Sequence, residues 1–392
     1  MKNMPDKILD LFFEPDRWTR AIAKGYDKDI RKDQLYSLTS PKTRAEIYAR
    51  IRDGRYVIAP PHTALIPKDK PGEFRTVFIN EPMDRIVLSI VNDLLFELCP
   101  DMIHPNCKSY QKGIGCGKVV REVSRRTASA KEDVIGWKSD LSKYFDSVPL
   151  RYIDEVFDEV EARHGKSALI RTVRDYYHCN LYFDTDNNLR EGFQSLKQGC
   201  AVAAFLADAI LYGTDGKLSA LEGFYVRYSD DMCYIGPDHR KAMAVLKEEL
   251  SAMEMKLNPD KVEELRRDRW FRFLGFSIRG ADISLSGSRI KTFQKEIEKR
   301  TVKNRDTTPT WATNSVNRFL YKGDGTHSWA TGVLSICNVR QDIDTLNAFV
   351  MDALRAVQTG KHRIGGLGYV PDGKAGCIAR GRGRNVSSRQ RA

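Results

Sequence analysis

Apolar residues recur at helical spacing along much of the chain. From Arg85 to Leu98, isoleucines, valines and leucines fall three or four positions apart, which predicts an amphipathic helix. Six other segments are also predicted to be helical: Arg151–Arg163, Ser167–Cys179, Arg240–Met255, Lys291–Lys303, Ala312–Tyr321 and Asp342–Thr359. The last three follow one another after residue 288 and predict a helical region in that part of the chain.

Short segments rich in aromatic and β-branched residues lie between the predicted helices. Val134–Asp140 is predicted to be a strand, and Phe224–Ile235 to be two strands joined by a tight turn. Ile66–Arg75 has the pattern of strand, turn and strand, and Asn187 with Asn188 predicts another hairpin. This order of elements predicts an α+β fold with a split βαβ unit of the ferredoxin-like kind.

The turn between the last two strands contains Tyr228, Ser229, Asp230 and Asp231. Aspartate tolerates turn geometry, so an ordinary hairpin is one interpretation. Two adjacent carboxylates repel each other, however, unless a cation lies between them, and a hard divalent cation favours a third carboxylate. Asp140, at the end of a predicted strand, supplies one. The three carboxylates therefore predict a site for two Mg²⁺ ions, with Mn²⁺ as an alternative, that catalyses phosphoryl transfer.

Further motifs accompany these carboxylates in a characteristic order: Ile66–Arg75, Ser109–Lys118, Trp137–Asp146, Leu196–Asp208, Lys256–Lys261 and Phe273–Phe276. With the acidic turn, they resemble the motifs of bacterial reverse transcriptases of the group II intron-like lineage, over about Pro61 to Ile278. The resemblance implies a right-hand polymerase with fingers, a ferredoxin-like palm and a helical thumb. It also implies an enzyme, an RNA-directed DNA polymerase, that copies template RNA into complementary DNA (cDNA) from deoxynucleoside triphosphates.

The resemblance assigns catalytic and metal-binding roles. Asp140, Asp230 and Asp231 are the catalytic carboxylates. The metal-binding set adds one residue to them: Asp140, Leu141, Asp230 and Asp231. Lys261 best matches a lysine that protonates the leaving pyrophosphate, and Lys256 is the second choice. An ordinary surface lysine is the alternative interpretation at either position.

The resemblance also implies how the incoming nucleotide is held. Lys68 and Arg75 match residues of the fingers that bind the triphosphate, which suits a point charge and a planar guanidinium. A solvated charged turn is the alternative interpretation. Phe145 matches the aromatic residue that stacks under the sugar and excludes a 2′-hydroxyl, so it favours deoxynucleotides. A core aromatic is the alternative there.

Other matched positions contact the substrate or the primer. Gln198, Gly199 and Tyr228 are implied to bind substrate, and a glycine at 199 would let the backbone approach the nucleotide and template. A primer-grip turn is implied over three residues: Phe273, Leu274 and Gly275. The chain departs from the family where Ala203 and Ala204 replace the usual Ser-Pro, which leaves fidelity and template handling open.

Ser109–Lys118 looks at first like a phosphate-binding loop. It fails the Walker pattern because its first glycine is one residue too close and Val119 replaces serine or threonine. It matches better a family segment that leads into a helix near template or nucleotide phosphates.

Composition agrees with a polyanionic partner. The chain has 392 residues and a formal net charge of +12, and lysine and arginine contacts release counterions from phosphate. The eight cysteines form no Cys-x-x-Cys pair, so neither zinc nor a disulfide framework is indicated. No apolar stretch reaches the roughly 18 residues that a membrane span needs. We therefore expect a soluble cytoplasmic protein.

Composition also divides the chain into four predicted regions. Residues 1–60 are a helical N-terminal extension, and 61–287 are the fingers and palm. Residues 288–365 form a basic helical thumb. Residues 366–392 are a Gly/Arg-rich tail, of a type that is usually disordered and binds RNA without sequence preference.

The segment after Ile278 has no room for a ribonuclease H domain and carries no zinc-knuckle or His-Asn-His endonuclease motif. This predicts a stand-alone polymerase, most similar to the defence-associated (unknown-group) reverse transcriptases, with their second type as the specific interpretation. That resemblance implies a structured non-coding RNA as companion template and a role against phage. The alternatives are a diversity-generating or retron reverse transcriptase, an RNA-dependent RNA polymerase, which Phe145 argues against, and a non-catalytic RNA-binding scaffold.

Overall fold

The structure is a computed structural model that describes residues 6–23, 32–68, 72–304, 306–321 and 328–360, and the backbone of 368–369 and 378–379. These ranges contain the following α-helices: α1 Lys7–Phe12, α2 Pro15–Ala23, α3 Lys32–Leu38, α4 Pro41–Arg52, α5 Pro82–Leu98, α6 Cys116–Ser129, α7 Tyr144–Ser147, α8 Leu150–His164, α9 Ala168–His178, α10 Ala203–Ala209, α11 Tyr212–Ser219, α12 His239–Ala252, α13 Gly287–Arg300, α14 Pro309–Tyr321 and α15 Arg340–Thr359. None of these described helices is both long and apolar enough to cross a bilayer.

The strands of the described ranges are short: β1 His62–Pro67, β2 Phe74–Ile79, β3 Val134–Asp140, β4 Leu181–Phe183, β5 Leu189–Glu191, β6 Phe224–Tyr228, β7 Asp231–Ile235, β8 Glu263–Arg266, β9 Phe271–Phe273, β10 Phe276–Arg279, β11 Asp282–Leu285, β12 Gly368–Tyr369 and β13 Ile378–Ala379. One sheet has the order β2-β1-β4-β5, and another has the order β11-β10-β9. Strands β1 and β2 are antiparallel and place Ile66 opposite Arg75.

The chain forms two compact units, and each combines separated segments. The first unit comprises residues 1–111, 139–232 and 240–262. The second unit comprises residues 112–138, 233–239 and 263–392. Two of the boundaries fall inside β3 and β7, so each of these strands contributes residues to both units.

Helix α5 lies at the centre of the first unit. It is buried along most of its length, and α1, α2 and α10 pack against it. Helix α10 can approach closely because its inner positions include Ala203 and Ala207, which are buried. This packing carries Asp208, the residue after Ala207, into the interior of the unit, where its side chain is 0% exposed.

The second unit contains the first five residues of β3, which pair with β8 in antiparallel orientation. On its other side the Gly236 N–H donates a hydrogen bond of 2.9 Å to the Ile135 oxygen. Helices α13, α14 and α15 surround an aromatic cluster in which Phe293 and Phe319 lie 5.1 and 5.7 Å from Trp329, measured between ring centroids.

The mixed helix and sheet fold and the predicted helices are confirmed, with different ends. Helix α12 ends at Ala252, three residues early, because Glu254 has a left-handed φ of 58° and the Met255 N–H bonds back to the Leu250 oxygen. Helix α13 begins at Gly287 because the Ser286 hydroxyl caps it. The four-region division stays a prediction. Except for the backbone of β12 and β13, the predicted tail lies outside the described residues.

Candidate active site

The acidic turn joins β6 and β7, as predicted. Strand β6 ends at Tyr228 and β7 begins at Asp231, which leaves Ser229 and Asp230 as the turn. Ser229 has a left-handed φ of 58°, which is uncommon for a residue other than glycine. Apolar neighbours in both strands are buried, so the hairpin is anchored in the interior of the protein and only its tip carries the carboxylates.

Main-chain hydrogen bonds bring Asp140 to the same place. The Leu141 N–H, just after β3, donates to the main-chain oxygen of Asp230 at 3.3 Å. On the other side, the Asn258 N–H donates to the main-chain oxygen of Asp140 at 2.9 Å. The end of β3 thus lies between the acidic turn and residues 256–258, and three distant chain segments meet there.

Lys261 lies next to Asp140. Its Nζ forms an ion pair and hydrogen bond with Asp140 Oδ2. Burial disfavours the charged amine, but the hydrogen bond and the charge of Asp140 outweigh it and raise the pKa of Lys261. Lys261 is therefore protonated at neutral pH, as a proton donor must be. Lys256, the second choice, is exposed and contributes its main-chain oxygen to Ser142 at 2.8 Å.

The carboxylates carry unbalanced negative charge. Burial raises the pKa of Asp230, and the nearby charge of Asp140 raises it further, whereas Lys261 and Arg75 oppose the shift. Among the described residues no set of three or more His, Cys, Asp or Glu side chains is already arranged as a metal site. The donors nevertheless fit a hard divalent cation, because they are carboxylates that repel each other and already attract the Lys261 ammonium.

Lys68 and Arg75 lie at the turn end of the β1–β2 hairpin. The Lys68 N–H bonds to the Glu73 oxygen at 2.9 Å, and both basic side chains are exposed. Residues 69–71, the tip of this hairpin, lie outside the described part of the chain. The charge of Arg75 is close enough to Asp230 to lower its pKa. Arg75 is thus brought near the carboxylates, as a triphosphate-binding role requires.

Phe145 is half-buried near the start of α7. Lys143 precedes this helix with a left-handed φ of 49°, which turns the chain sharply after β3. The Phe145 ring packs edge-on against Tyr144, with centroids 5.7 Å apart, and its main-chain oxygen accepts a 3.0 Å hydrogen bond from the Leu196 N–H. The Phe145 side chain is therefore neither a core residue nor fully solvated, and its contact with the sugar stays a prediction.

Gln198 and Gly199 are fastened to β2. The Gln198 oxygen accepts a 2.7 Å hydrogen bond from the Phe78 N–H. Gly199 has a φ of 110°, and a Cβ there would lie 2.6 Å from the Phe78 oxygen. Glycine is therefore required at 199 by contact within the protein, whereas the predicted approach to a nucleotide stays a prediction.

The predicted primer-grip residues form a tight turn in the second unit. Phe273 ends β9, and Leu274 and Gly275 have left-handed φ values of 49° and 78°. A Cβ on Gly275 would overlap the guanidinium of Arg289, which stacks on the Phe276 ring at 4.4 Å. The turn geometry matches the prediction, and its contact with a primer stays a prediction.

No role was predicted for Arg227, which lies fully buried beneath the acidic turn. Its guanidinium makes a bidentate pair with Asp215, with donor–acceptor distances of 2.8 and 2.6 Å. Tyr225 also donates to Asp215, at 2.8 Å. Arg227 Nη1 donates to the main-chain oxygen of Ser229 at 3.2 Å. The available signal was an arginine inside an otherwise apolar strand, directly before the acidic turn.

Ser109 and Asp208 hold the other side of the turn. The Ser229 N–H donates to Ser109 Oγ at 2.9 Å, and that hydroxyl donates to Asp208 Oδ1 at 2.5 Å. Burial raises the pKa of Asp208 to about 6. Both main-chain groups of Ser229 are therefore held by buried side chains. The Ser109–Lys118 segment thus supports the turn through its first residue, and α6 begins at Cys116, as the motif predicted.

Comparison with known proteins identifies the family of this chain. The family described as reverse transcriptase (RNA-dependent DNA polymerase) matches residues 66–278, more than half of the chain. No curated protein sequence matches. Among solved structures, telomerase from Candida albicans in complex with a fragment of telomeric RNA is similar at 11% identity and a TM-score of 0.46. That alignment covers 81% of this chain and 58% of the telomerase chain. On the family match, the chain belongs to the reverse transcriptases.

Proposed function

We propose that this site copies a companion non-coding RNA into cDNA as part of bacterial defence against phage. The observation that carries the catalytic part is the convergence of Asp140, the acidic turn and Lys261 from three separate segments of one unit. In a protein that had lost catalysis, nothing would maintain a lysine beside carboxylates that repel each other.

The residues divide the reaction between them. Asp140, Asp230 and Asp231, with Leu141 beside them, would hold divalent cations, which supply charge neutralisation to the reacting phosphate. Arg75 and Lys68 bind the triphosphate from the fingers side, and Phe145 contacts the sugar. Lys261 holds a proton beside the carboxylates and delivers it to the leaving pyrophosphate. Tyr228 and Gln198 complete the substrate contacts.

Replacement of Lys261 by glutamine should slow nucleotide incorporation by about 100-fold, because a positioned general acid contributes roughly that factor. Single-turnover incorporation on a primed RNA template measures the effect. Lys256→Gln is the comparison, since that lysine is exposed and offers only its main chain. A larger loss in Lys256→Gln would transfer the proton-donor role to Lys256.

Replacement of Phe145 by alanine should admit ribonucleotides and reduce the preference for deoxynucleotides by about 10- to 100-fold, since the obstacle to a 2′-hydroxyl is removed. The ratio of kcat/KM for the two sugars is the measurement. Tyr144→Phe is the matched control, because it keeps the neighbouring ring and removes only the hydroxyl that bonds to the Ala207 oxygen. An unchanged ratio in Phe145→Ala would make Phe145 a core residue.

The proposals of an RNA partner and of a cytoplasmic location are based on charge and composition. A net charge of +12 suits RNA, and the Gly/Arg-rich tail, which lies outside the described residues, would tether a structured one. The seven cysteines in the described ranges are unpaired, which suits a reducing cytoplasm. Membership of the defence-associated group, and of its second type, rests on the sequence resemblance alone.

Other functions predict other products. A diversity-generating or retron enzyme would share the chemistry but copy a different RNA. An RNA-dependent RNA polymerase would accept ribonucleotides, and an aromatic residue at Phe145 argues against that because it excludes a 2′-hydroxyl in the proposed site. An RNA-binding scaffold would not need the carboxylates or the buried bonds that hold their turn.

The test is to express the chain with its native flanking DNA, purify it, and sequence the bound RNA and DNA beside an Asp230→Asn control. We expect cDNA in the wild type only, complementary to one abundant bound RNA. Bound RNA without DNA in either sample would favour the scaffold. DNA copied from an RNA other than an abundant companion RNA would favour the diversity-generating or retron alternatives.

A further inference from the structure

Lys197 is a fully buried lysine in the first unit. Its side chain is 0% exposed, which is rare for lysine. The Nζ donates to the Cys179 main-chain oxygen at 2.7 Å and to Gln194 Oε1 at 2.9 Å. It also lies 4.6 Å from the centroid of the Tyr176 ring, as a cation–π contact. Every one of these partners belongs to α9, its last turn, or the loop that contains Lys197.

Keeping an ammonium in this place opposes folding. Burial lowers the pKa of Lys197 to about 8. Because this value lies below that of an unfolded lysine, the free energy of unfolding rises as pH increases from about 8 towards 10.5. A well-packed apolar side chain of similar length would avoid this penalty. What the ammonium supplies in return is geometric, because its contacts with Cys179, Gln194 and Tyr176 hold its own loop against the end of α9.

The loop held by Lys197 is fastened at three successive residues. We call residues 194–199 the anchored loop. The Leu196 N–H bonds to the Phe145 oxygen at 3.0 Å, and the Gln198 oxygen accepts from the Phe78 N–H at 2.7 Å. Lys197, between them, ties the loop to the end of α9. Lys197 itself has a left-handed φ of 53°, so the loop is held against its backbone preference.

Two of these fastenings lead to residues that contact the nucleotide in the proposed function. The Leu196 bond fixes the main chain of Phe145. The Gln198 bond fixes β2 three residues after Arg75. A shift of the anchored loop would therefore move the aromatic face under the sugar and the strand that carries a triphosphate ligand.

We propose that Lys197 is a positioning residue for nucleotide selection. Its ammonium pins the anchored loop to the carbonyl end of α9 and so sets the distance between Phe145 and the β2 strand. Lys197 touches neither the nucleotide nor the catalytic carboxylates. The inference rests on the proposed function, because it gives Phe145 and Arg75 their roles there.

The experiment uses the full-length protein with a primed RNA template and compares Lys197→Met with Lys217→Met. Lys217 is an exposed lysine of the same unit, paired with Glu249, and controls for the loss of a lysine charge. We measure KM and kcat for deoxynucleotides, the deoxy-to-ribonucleotide preference, and the melting temperature. In Lys197→Met we expect KM to rise about 10- to 100-fold and the preference to fall, with kcat changing less and the melting temperature maintained.

A second variant separates positioning from folding. Gln194→Leu removes the side-chain hydrogen-bond acceptor of Lys197 and leaves its bond to the Cys179 main-chain oxygen and its contact with the Tyr176 ring. It should change KM in the same direction by a smaller factor, and the double variant should be no worse than Lys197→Met, because both substitutions release one loop. This arm decides the question if Lys197→Met fails to fold.

Each outcome has one meaning. A KM and a sugar preference that match Lys217→Met, in a wild type that polymerises, would overturn the positioning role and leave the proposed function intact. A fall in kcat together with a fall in the melting temperature, at an unchanged KM, would also overturn the positioning role. That result would indicate that Lys197 only stabilises the fold. A wild type inactive on every primed RNA would overturn the proposed function and this inference with it.

Discussion

Asp230→Asn is expected to abolish DNA synthesis while leaving the protein as stable as the wild type, or more stable. Asparagine keeps the size of the side chain and the main-chain bond to Leu141, and removes the charge of one of the three carboxylates that we propose to be catalytic. Metal-assisted stabilisation of a transition state contributes several kcal/mol, so the rate should fall by about 10³-fold or more. Stability should not fall, because burial and the charge of Asp140 already raise the pKa of Asp230 and disfavour its ionised form.

Incorporation of labelled deoxynucleotide on a primed RNA template and a thermal melt provide the two measurements. Asp260→Asn is the matched control, since this exposed carboxylate precedes Lys261 and carries the same charge without lying in the catalytic set. Residual synthesis in Asp230→Asn above a tenth of the wild-type rate would remove Asp230 from the catalytic residues.

Arg227→Met should destabilise the protein by about 3–5 kcal/mol, because it leaves the Asp215 carboxylate buried without its partner. Arg227 and Asp215 are both 0% exposed, so water cannot take over the lost bonds. The same substitution removes the donor that holds the Ser229 oxygen, and activity should therefore fall as well. Denaturant titration gives the free energy of unfolding, and a surface pair such as Lys217–Glu249 should contribute less than about 1 kcal/mol in the same test.

Stability and activity can be separated at this position. In the double variant Arg227→Met, Asp215→Leu, both charges are gone, and apolar replacement of a buried pair is often neutral. We expect much of the lost stability to return, except for the contribution of the hydrogen bond from Tyr225 to Asp215. The activity should not return, because the Ser229 main-chain oxygen still lacks its donor. If activity returns together with stability, Arg227 serves folding alone and does not position the turn.

The kind of enzyme could be predicted from the sequence because each of its motifs lies within one short segment of the chain. A pattern within one segment is enough to predict three of the elements: the strand ending at Asp140, the turn with Asp230 and Asp231, and the helix over Arg85–Leu98. The family match over residues 66–278 then confirms the kind of enzyme. Lys261 could be ranked above Lys256 by its match, and its ion pair with Asp140 places it beside the carboxylates.

The supports of the site could not be predicted in this way, because their partners are distant in the chain. Ser109 and Asp208 are 99 residues apart, yet the Ser109 hydroxyl accepts the bond from the Ser229 N–H while donating its own proton to Asp208. The missing side chain of Gly199 makes room for the main chain of Phe78, a contact that the local sequence does not indicate. No pattern separates a buried lysine such as Lys197 from the many exposed ones, since the difference lies in what packs around it.

The interleaving of the two units has a consequence for how the chain folds during synthesis. The first unit needs residues up to 262, and the part of β3 in the second unit must wait for β8 at Glu263–Arg266. At roughly 5–20 residues per second, the ribosome exposes these late segments many seconds after the strands that they complete. Strand β3 therefore spends that interval with an unpaired edge, the condition in which chaperone binding or aggregation competes with folding. Slow translation before Glu263 should lower the yield of this enzyme more than equally slow translation after it.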